Sequence, residues 1–294
     1  MGFVKPDGSY DYEEMMEAQK FSAKMGYRLA TVDLEIHEWD LVSKEDMLTG
    51  CSITGVMDSV NATNISQDDL KIILSKLRQT ATDEVNKLSK RFKTKPPKLT
   101  TVIKPSGTIS QLPVVSSGMH YSHSPYYIRR VRINAKDPLC QFMKDSNFPW
   151  NPEVGQTIED HTTAVFEFPV KAPDGRTKYD VGAIEQLEAY KVFMECYVDG
   201  NASNTIHVRN DEWEEVEQWI WDNWDDFVGV SFLSLDDSFY QLMPYESITE
   251  EKYHELAAAL PEFNPDLLRK YEAAQLEDDD LIDDDCASGA CGVR

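Results

Sequence analysis

The chain has 294 residues, of which 29 are Lys or Arg and 52 are Asp or Glu, a formal net charge of −23. That length suits one large domain or two ordinary ones, and the charge argues against sequence-independent binding to DNA or to an anionic membrane. No apolar run approaches the ~18 residues of a membrane span, the start from Met1 to Pro6 has no signal pattern, and five cysteines are too few and odd in number for a secreted disulfide framework. A reduced, cytoplasmic setting with no membrane and no direct nucleic-acid partner is the expectation.

Lys5-Pro6-Asp7-Gly8 reads as a turn, and a helix begins at Tyr12 with Met15, Ala18, Ser22, Met25, Leu29 and Val32 on one face. A second helix starts at Ser66, with Asp69 as capping partner. Its stripe is Leu70, Ile73, Leu74, Leu77, Ala81, Val85, Leu88 and Phe92, and Lys95-Pro96-Pro97 ends it. A short strand fits Leu99 to Ile103. Alternation predicts strands at Tyr126 to Ile133, Thr162 to Val170, Asn204 to Val208 and Val228 to Leu235. Helices at Gly182 to Val198 and Asp211 to Asp226 separate them, the second with an acidic solvated face. Ser247 and Glu250 box the start of a helix to Leu260, and Asn264-Pro265 opens another to about Gln275. Strands alternating with helices indicate an α/β fold with some parallel sheet. There is no internal repeat.

Charge is unevenly placed. From Val85 to Lys136 there is no Asp or Glu, but eleven basic residues: Lys87, Lys90, Arg91, Lys93, Lys95, Lys98, Lys104, Arg129, Arg130, Arg132 and Lys136. Such a region either focuses small anions such as phosphates or pairs with acids elsewhere in the chain. At the other extreme, Glu277 to Asp285 holds seven acids in nine residues and reads as a self-repelling tail.

Two motifs carry chemistry. Lys104-Pro105-Ser106-Gly107-Thr108-Ile109-Ser110 follows an apolar strand inside the acid-free region. Gly107 permits a tight turn, the amides from Gly107 to Ser110 can converge, and Ser106, Thr108 and Ser110 add hydroxyls, a combination that binds phosphate oxygens. It lacks the Walker A spacing, and a plain polar turn is the competing reading. The second motif is Cys286-Ala287-Ser288-Gly289-Ala290-Cys291, two thiols separated by small residues beyond the acidic run. A flexible chain from Leu276 to the end spans on the order of 25 Å, enough to carry a dithiol into a buried site and its disulfide out to a reductant. The competing readings are two incidental tail cysteines and a metal site, for which no His or third Cys lies within reach in sequence. Cys51, Cys140 and Cys196 read as small buried hydrophobes. His120 and His123 have no evident third ligand, so no metal site is expected there.

Together these residues resemble the large chain of ribonucleotide reductase, most closely the adenosylcobalamin-dependent class. The P-S-G-T-x-S loop, the Tyr126-Tyr127-Ile128-Arg129-Arg130-Val131-Arg132 strand and the C-x4-C ending carry the likeness. So do Glu35 to Asp40, Gly50-Cys51-Ser52-Ile53-Thr54-Gly55, and Val230-Ser231-Phe232-Leu233 followed by Tyr240 and Pro244-Tyr245-Glu246. The ending from Asp285 to Cys291 is similar to that of the ribonucleoside-triphosphate reductases. The resemblance implies that residues 1–275 are the C-terminal portion of a ten-stranded α/β barrel and 276–294 a disordered acidic tail. Ser106, Gly107, Thr108, Ile109 and Ser110 would hold the phosphates of a ribonucleoside triphosphate. Cys286 and Cys291 would re-reduce the active-site disulfide and be recharged by thioredoxin or a similar reductant. Adenosylcobalamin would generate the thiyl radical that starts 2′-deoxyribonucleotide formation.

The family's radical cysteine belongs to an N-x-C-x-E segment, and this sequence has none. The expectation is therefore one piece of a split or truncated reductase that needs an N-terminal fragment bearing that cysteine. A phage origin would fit, and would place it in the host cytoplasm. The competing readings are a non-catalytic nucleotide-binding or regulatory fragment that docks on an intact reductase, and a free-standing dithiol carrier.

Overall fold

The structure is a computed structural model that describes residues 2–235 and 240–276. In chain order its elements are α1 (Tyr12–Ala30), α2 (His37–Asp46), α3 (Val56–Thr63), α4 (Gln67–Phe92), β1 (Tyr126–Asn134), α5 (Pro138–Asp145), β2 (Trp150–Pro152), β3 (Thr163–Lys171), α6 (Ala183–Cys196), β4 (Thr205–Val208), α7 (Trp213–Asp222), β5 (Ser231–Ser234), β6 (Tyr245–Ser247), α8 (Glu250–Ala259) and α9 (Pro265–Leu276). They fall into two compact units. Within the described residues the first joins 2–125 to 172–235, and the second joins 126–171 to 240–276.

In the first unit α1 and α4 pack together. Asp11 caps α1 by accepting the Glu14 N–H (3.1 Å), and Glu13, Glu14 and Arg28 suit the helix dipole. Ser66 caps α4: its hydroxyl accepts the Asp69 N–H (3.1 Å) and donates to the Asp69 carboxylate (2.6 Å). Ala23 on α1 and Ala81 on α4 are fully buried between Tyr27, Met47, Cys51 and Val85, small side chains that let the two helices approach closely. The stripe that α1 buries is Met15, Gln19, Ala23 and Tyr27. The one read from the sequence, continuing through Ala18, Met25, Leu29 and Val32, faces solvent. Both stripes have helical spacing, and the partner helix selects the one with the small residue at its centre.

α6 is apolar on opposite sides because it is covered twice. Tyr190, Phe193 and Cys196 join the core of Leu70, Ile73, Leu74 and Leu77, while Ala183 and Leu187 pack with β4 and α7 through Ile206, Val208, Val216 and Trp219. A run of parallel pairing crosses this unit: Cys51 bridges Thr101, Ile103 bridges Ala202, and β4 pairs with β5 from Thr205↔Ser231 to Val208↔Ser234. The predicted strand Leu99 to Ile103 is thus reduced to two isolated bridges. Asp199 holds its start, accepting the N–H groups of Thr100 (2.8 Å) and Thr101 (3.1 Å) and the Arg78 guanidinium (2.6 Å). Burial raises that carboxyl, but the two amides and Arg78 outweigh it and leave it below the usual range.

The second unit is a four-stranded sheet in the order β2-β3-β1-β6, antiparallel throughout. Parallel sheet is confined to the first unit among the described residues. Phe166 and Ala164 of β3 pack under Cys140, Phe142 and Met143 of α5, with Leu267, Leu268 and Tyr271 of α9 alongside. Arg130 of β1 is buried against Glu167 of β3 (2.7 Å) and Glu246 of β6 (2.6 Å). α8 is capped by the Thr249 hydroxyl, which accepts the Lys252 N–H (3.2 Å). This replaces the Ser247–Glu250 box, because Ser247 is still pairing in β6. Asn264 opens α9 as expected, accepting from the amides of Asp266 and Leu267.

Candidate functional site

The loop 104–110 lies in the first unit, just after the Ile103 bridge. Its backbone turns around one side chain. The Ser106 hydroxyl oxygen accepts the N–H groups of Ile109 (2.9 Å) and Thr108 (3.3 Å). Residues Ile109–Gln111 then form a single 3-10 turn. Two amides therefore converge on one oxygen. Ser110 is fully buried, and its hydroxyl donates to the Ser106 carbonyl, so it holds the loop's shape from inside. Thr108 and Ile109 are exposed, Ile109 by 66%. Lys104 places its ammonium on the Ser203 hydroxyl (3.1 Å) and its backbone N–H on the Ser52 hydroxyl (3.0 Å). The chain leaves the loop through Val114, a β-branched residue held at φ +52°, a costly conformation that the sequence does not signal.

A second segment fixes the loop from behind. The Ser117 hydroxyl donates to the Ser106 carbonyl (2.6 Å) and lies 3.1 Å from the Ser110 hydroxyl. Residues 116–118 are in turn held by the start of α3. The Thr54 hydroxyl donates to the Ser116 carbonyl and accepts the Gly118 N–H, both at 2.9 Å. The Asp58 carboxylate accepts the Ser116 N–H (2.6 Å) and the Ser122 hydroxyl (3.0 Å). Gly55 lies between them at φ +68°, where a Cβ would meet Val115 side-chain carbons at 2.8 Å, so only glycine fits. Sequence reasoning singled out Thr54 and Gly55 but missed Asp58, Ser116 and Ser117.

Five of the eleven basic residues of the acid-free region are paired with acids among the described residues. Lys87 meets Glu84, Lys95 meets Glu45, Lys98 meets Asp46, Arg130 meets Glu167 and Glu246, and Arg132 meets Glu153. Arg129 lies over the Tyr245 ring at 4.6 Å. Lys104 is the one of the eleven that stands in the loop itself. Cys51, Cys140 and Cys196 are buried free thiols, as expected of small apolar residues. Burial pushes the thiols of Cys51 and Cys140 up, away from nucleophilic use. Both nitrogens of His120 are engaged: Nδ1–H donates to the Ser117 carbonyl (2.9 Å) and Nε2 accepts the Thr205 N–H (2.9 Å). Among the described residues no three His, Cys, Asp or Glu gather as a metal site, and no helix is long and apolar enough to cross a membrane. Cys286, Cys291 and the acidic run lie outside the described residues.

Comparison with solved structures gives the class of fold. A B12-dependent (class II) ribonucleotide reductase superposes with a TM-score of 0.73 at 19% identity, over 90% of this chain and 40% of that one. Curated sequences agree. The adenosylcobalamin-dependent ribonucleoside-triphosphate reductase of Lactobacillus acidophilus is 30% identical over 199 residues, 66% of this chain and 26% of that protein. The protein of Dictyostelium discoideum named as a probable reductase of the same kind is 31% identical over 198 residues. That of Lacticaseibacillus paracasei is 27% identical over 238 residues, 78% of this chain and 31% of the relative. No protein-family profile matches. By sequence the chain is a relative of the adenosylcobalamin-dependent ribonucleotide reductases, and it spans about a quarter of the length of the curated relatives it matches.

Proposed function

We infer that this chain supplies the substrate-phosphate loop and the reducing tail of an adenosylcobalamin-dependent ribonucleotide reductase, and that it works with a second polypeptide. The observation that carries the reductase reading is the likeness to adenosylcobalamin-dependent ribonucleoside-triphosphate reductases over 66% of this chain. The parallel run through Cys51, Thr101, Ile103, Ala202, β4 and β5 supports assignment to part of a larger barrel. Exposed apolar side chains support a missing partner. α2 buries no residue at all, and Trp39, Leu41 and Val42 stand in solvent with Phe21, Met25 and Leu29 of α1.

In this reading the amides of Thr108 and Ile109, now on the Ser106 oxygen, turn to phosphate oxygens of a ribonucleoside triphosphate. Gly107 allows the close approach and Ser110 keeps the loop rigid. Lys104 adds positive charge at the loop entrance. Cys286 and Cys291 act by exchange: one thiolate attacks the active-site disulfide, releasing one active-site thiolate and forming a mixed disulfide with the other sulfur. The second tail thiolate then displaces that remaining active-site sulfur, leaving the tail disulfide for thioredoxin or a similar reductant. The cofactor supplies the radical chemistry in the assembled enzyme. Neither the aromatic groove on α7 rimmed by Glu214 and Glu217 nor the small polar pocket beside His120 and Asn204 is lined as a cobalamin site.

Complementation tests the reading. The chain mixed with a polypeptide covering the relatives' remaining length, adenosylcobalamin and a dithiol should convert ribonucleoside triphosphate to deoxynucleotide, while neither piece does so alone. Activity of the chain alone overturns the split reading. Inhibition of an intact reductase without complementation marks a regulatory fragment instead.

A further inference from the structure

We propose that Asp58 is a positioning residue for the phosphate loop, acting through Ser116, Ser117 and Ser106. This rests on the phosphate assignment of the loop but names a residue outside it. Asp58 is 1% exposed, in the first turn of α3, and both carboxylate oxygens are used on one loop: Oδ2 takes the Ser116 N–H at 2.6 Å and Oδ1 the Ser122 hydroxyl at 3.0 Å. A buried carboxylate is costly unless its oxygens are hydrogen-bonded, so the loop 116–122 is fixed wherever Asp58 is fixed. Thr54, just before α3, takes the other side of the same loop through the Ser116 carbonyl and the Gly118 N–H. Gly118 itself sits at φ +56° with Ile103 and Pro105 close behind, so the loop cannot slide along its neighbours. The next step outward is Ser117, whose hydroxyl reaches the Ser106 carbonyl at 2.6 Å. Ser106 is the residue about which the amides of Thr108 and Ile109 converge. Three short links thus run from a buried carboxylate to the anion-facing amides.

Substitution separates positioning from bulk. In Asp58→Asn the amide oxygen can keep the Ser116 N–H while the amide nitrogen donates to Ser122, whose hydroxyl turns to accept. In Asp58→Ala neither bond survives. Ser117→Ala cuts the last link and leaves Asp58 and its bonds untouched. Two measurements on the full chain decide the matter: titration with inorganic tripolyphosphate, and amide hydrogen exchange at Ile109 and Val115, compared with exchange in α4 as a gauge of global folding. Asp58→Ala should weaken tripolyphosphate binding by about tenfold or more and speed exchange at Ile109 and Val115 with α4 unchanged. Asp58→Asn should recover most of both, and Ser117→Ala should shift both in the same direction as Asp58→Ala. Wild-type exchange and affinity in a folded Asp58→Ala protein overturn the proposal. If Asp58→Ala does not fold, wild-type behaviour of Ser117→Ala overturns it. Failure of the wild-type chain to bind tripolyphosphate overturns the phosphate assignment instead, and the exchange data still decide whether Asp58 orders the loop.

Discussion

His207 is held neutral by its surroundings. Burial, followed by the nearby positive charge of Lys178 and by His120, lowers it from 6.5 to about 4, while burial with Lys178 and His207 lowers His123 to about 3. Above pH 6.5 both imidazoles are neutral whether the chain is folded or not, and they cost nothing. Below it the unfolded chain takes up protons that the folded chain refuses. Stability therefore falls with falling pH from about 6.5 down to the folded values, by about 1.4 kcal/mol per pH unit for each proton withheld. The expected result is a urea midpoint that drops between pH 6.5 and 4.5, with a shallower drop in His207→Gln; equal slopes would show that His207 is not the titrating group. None of this was legible in the sequence, where His207 is one position of an alternating strand. Lys178, itself pushed down by burial to about 8, is 29 residues away along the chain. The buried cysteines were legible, because a small thiol among apolar neighbours needs no distant partner to be recognised. Asp58 was not, since its meaning lies in Ser116 and Ser122, which only the fold brings to it.

At the scale of elements, what was legible followed from local signals that agree with one another. α4 combines a Ser66–Asp69 cap, a long apolar stripe and a proline pair beyond its end, and the structure starts it at Gln67 and closes it at Lys93 in the left-handed conformation. The cap is a measurable part of that: Ser66→Ala should cost about 1 kcal/mol by losing the acceptor for the Asp69 amide, read as a lower thermal midpoint with unchanged helix content at low temperature. β1 and β3 were found because nine-residue strands give alternation room to show, and their register from Tyr126↔Lys171 to Asn134↔Thr163 covers both in full. The short elements were missed for the same reason. β2 and β6 have three residues each and exist only as partners of β3 and β1. α1 shows the opposite difficulty, since two stripes of helical spacing share Met15 and left the choice of buried face to α4. Arg130 is the element-scale counterpart of Asp58. The sequence offered its positive charge to a ligand, yet the sheet spends it on Glu167 and Glu246, one on each neighbouring strand. Arg130→Ala should therefore destabilise the second unit by about 1–2 kcal/mol through the lost packing of the buried side chain and its lost hydrogen bonds to Glu167 and the Met243 carbonyl, with tripolyphosphate binding by the loop unchanged.

For the whole molecule, the decisive quantity is apolar surface that this chain does not cover for itself. Trp221 is 76% exposed on α7 and Trp224 65% just beyond it, above a groove shared with Trp213 and Phe232, and Phe21, Leu29 and Trp39 are exposed by 64, 71 and 66%. Scattered exposed side chains are ordinary, but α2 has no buried residue of its own, and its Trp39, Leu41 and Val42 gain nothing by lying in water. A chain matching 40% of a related fold is expected to carry such surface where the rest of that fold would lie. Two outcomes then follow together. Alone, the chain should bind a hydrophobic dye and self-associate as concentration rises. Bound to the complementary polypeptide it should lose the dye, sediment as a defined complex, and form deoxynucleotide. In that complex, Cys286→Ser with Cys291→Ser should allow no more than one product per active site with a protein reductant, because the spent disulfide is no longer reached, while a small dithiol restores turnover. Multiple turnovers by the double variant with thioredoxin would remove the tail from the mechanism without touching the phosphate loop, and a chain that stays monomeric and dye-free on its own would remove the need for a partner.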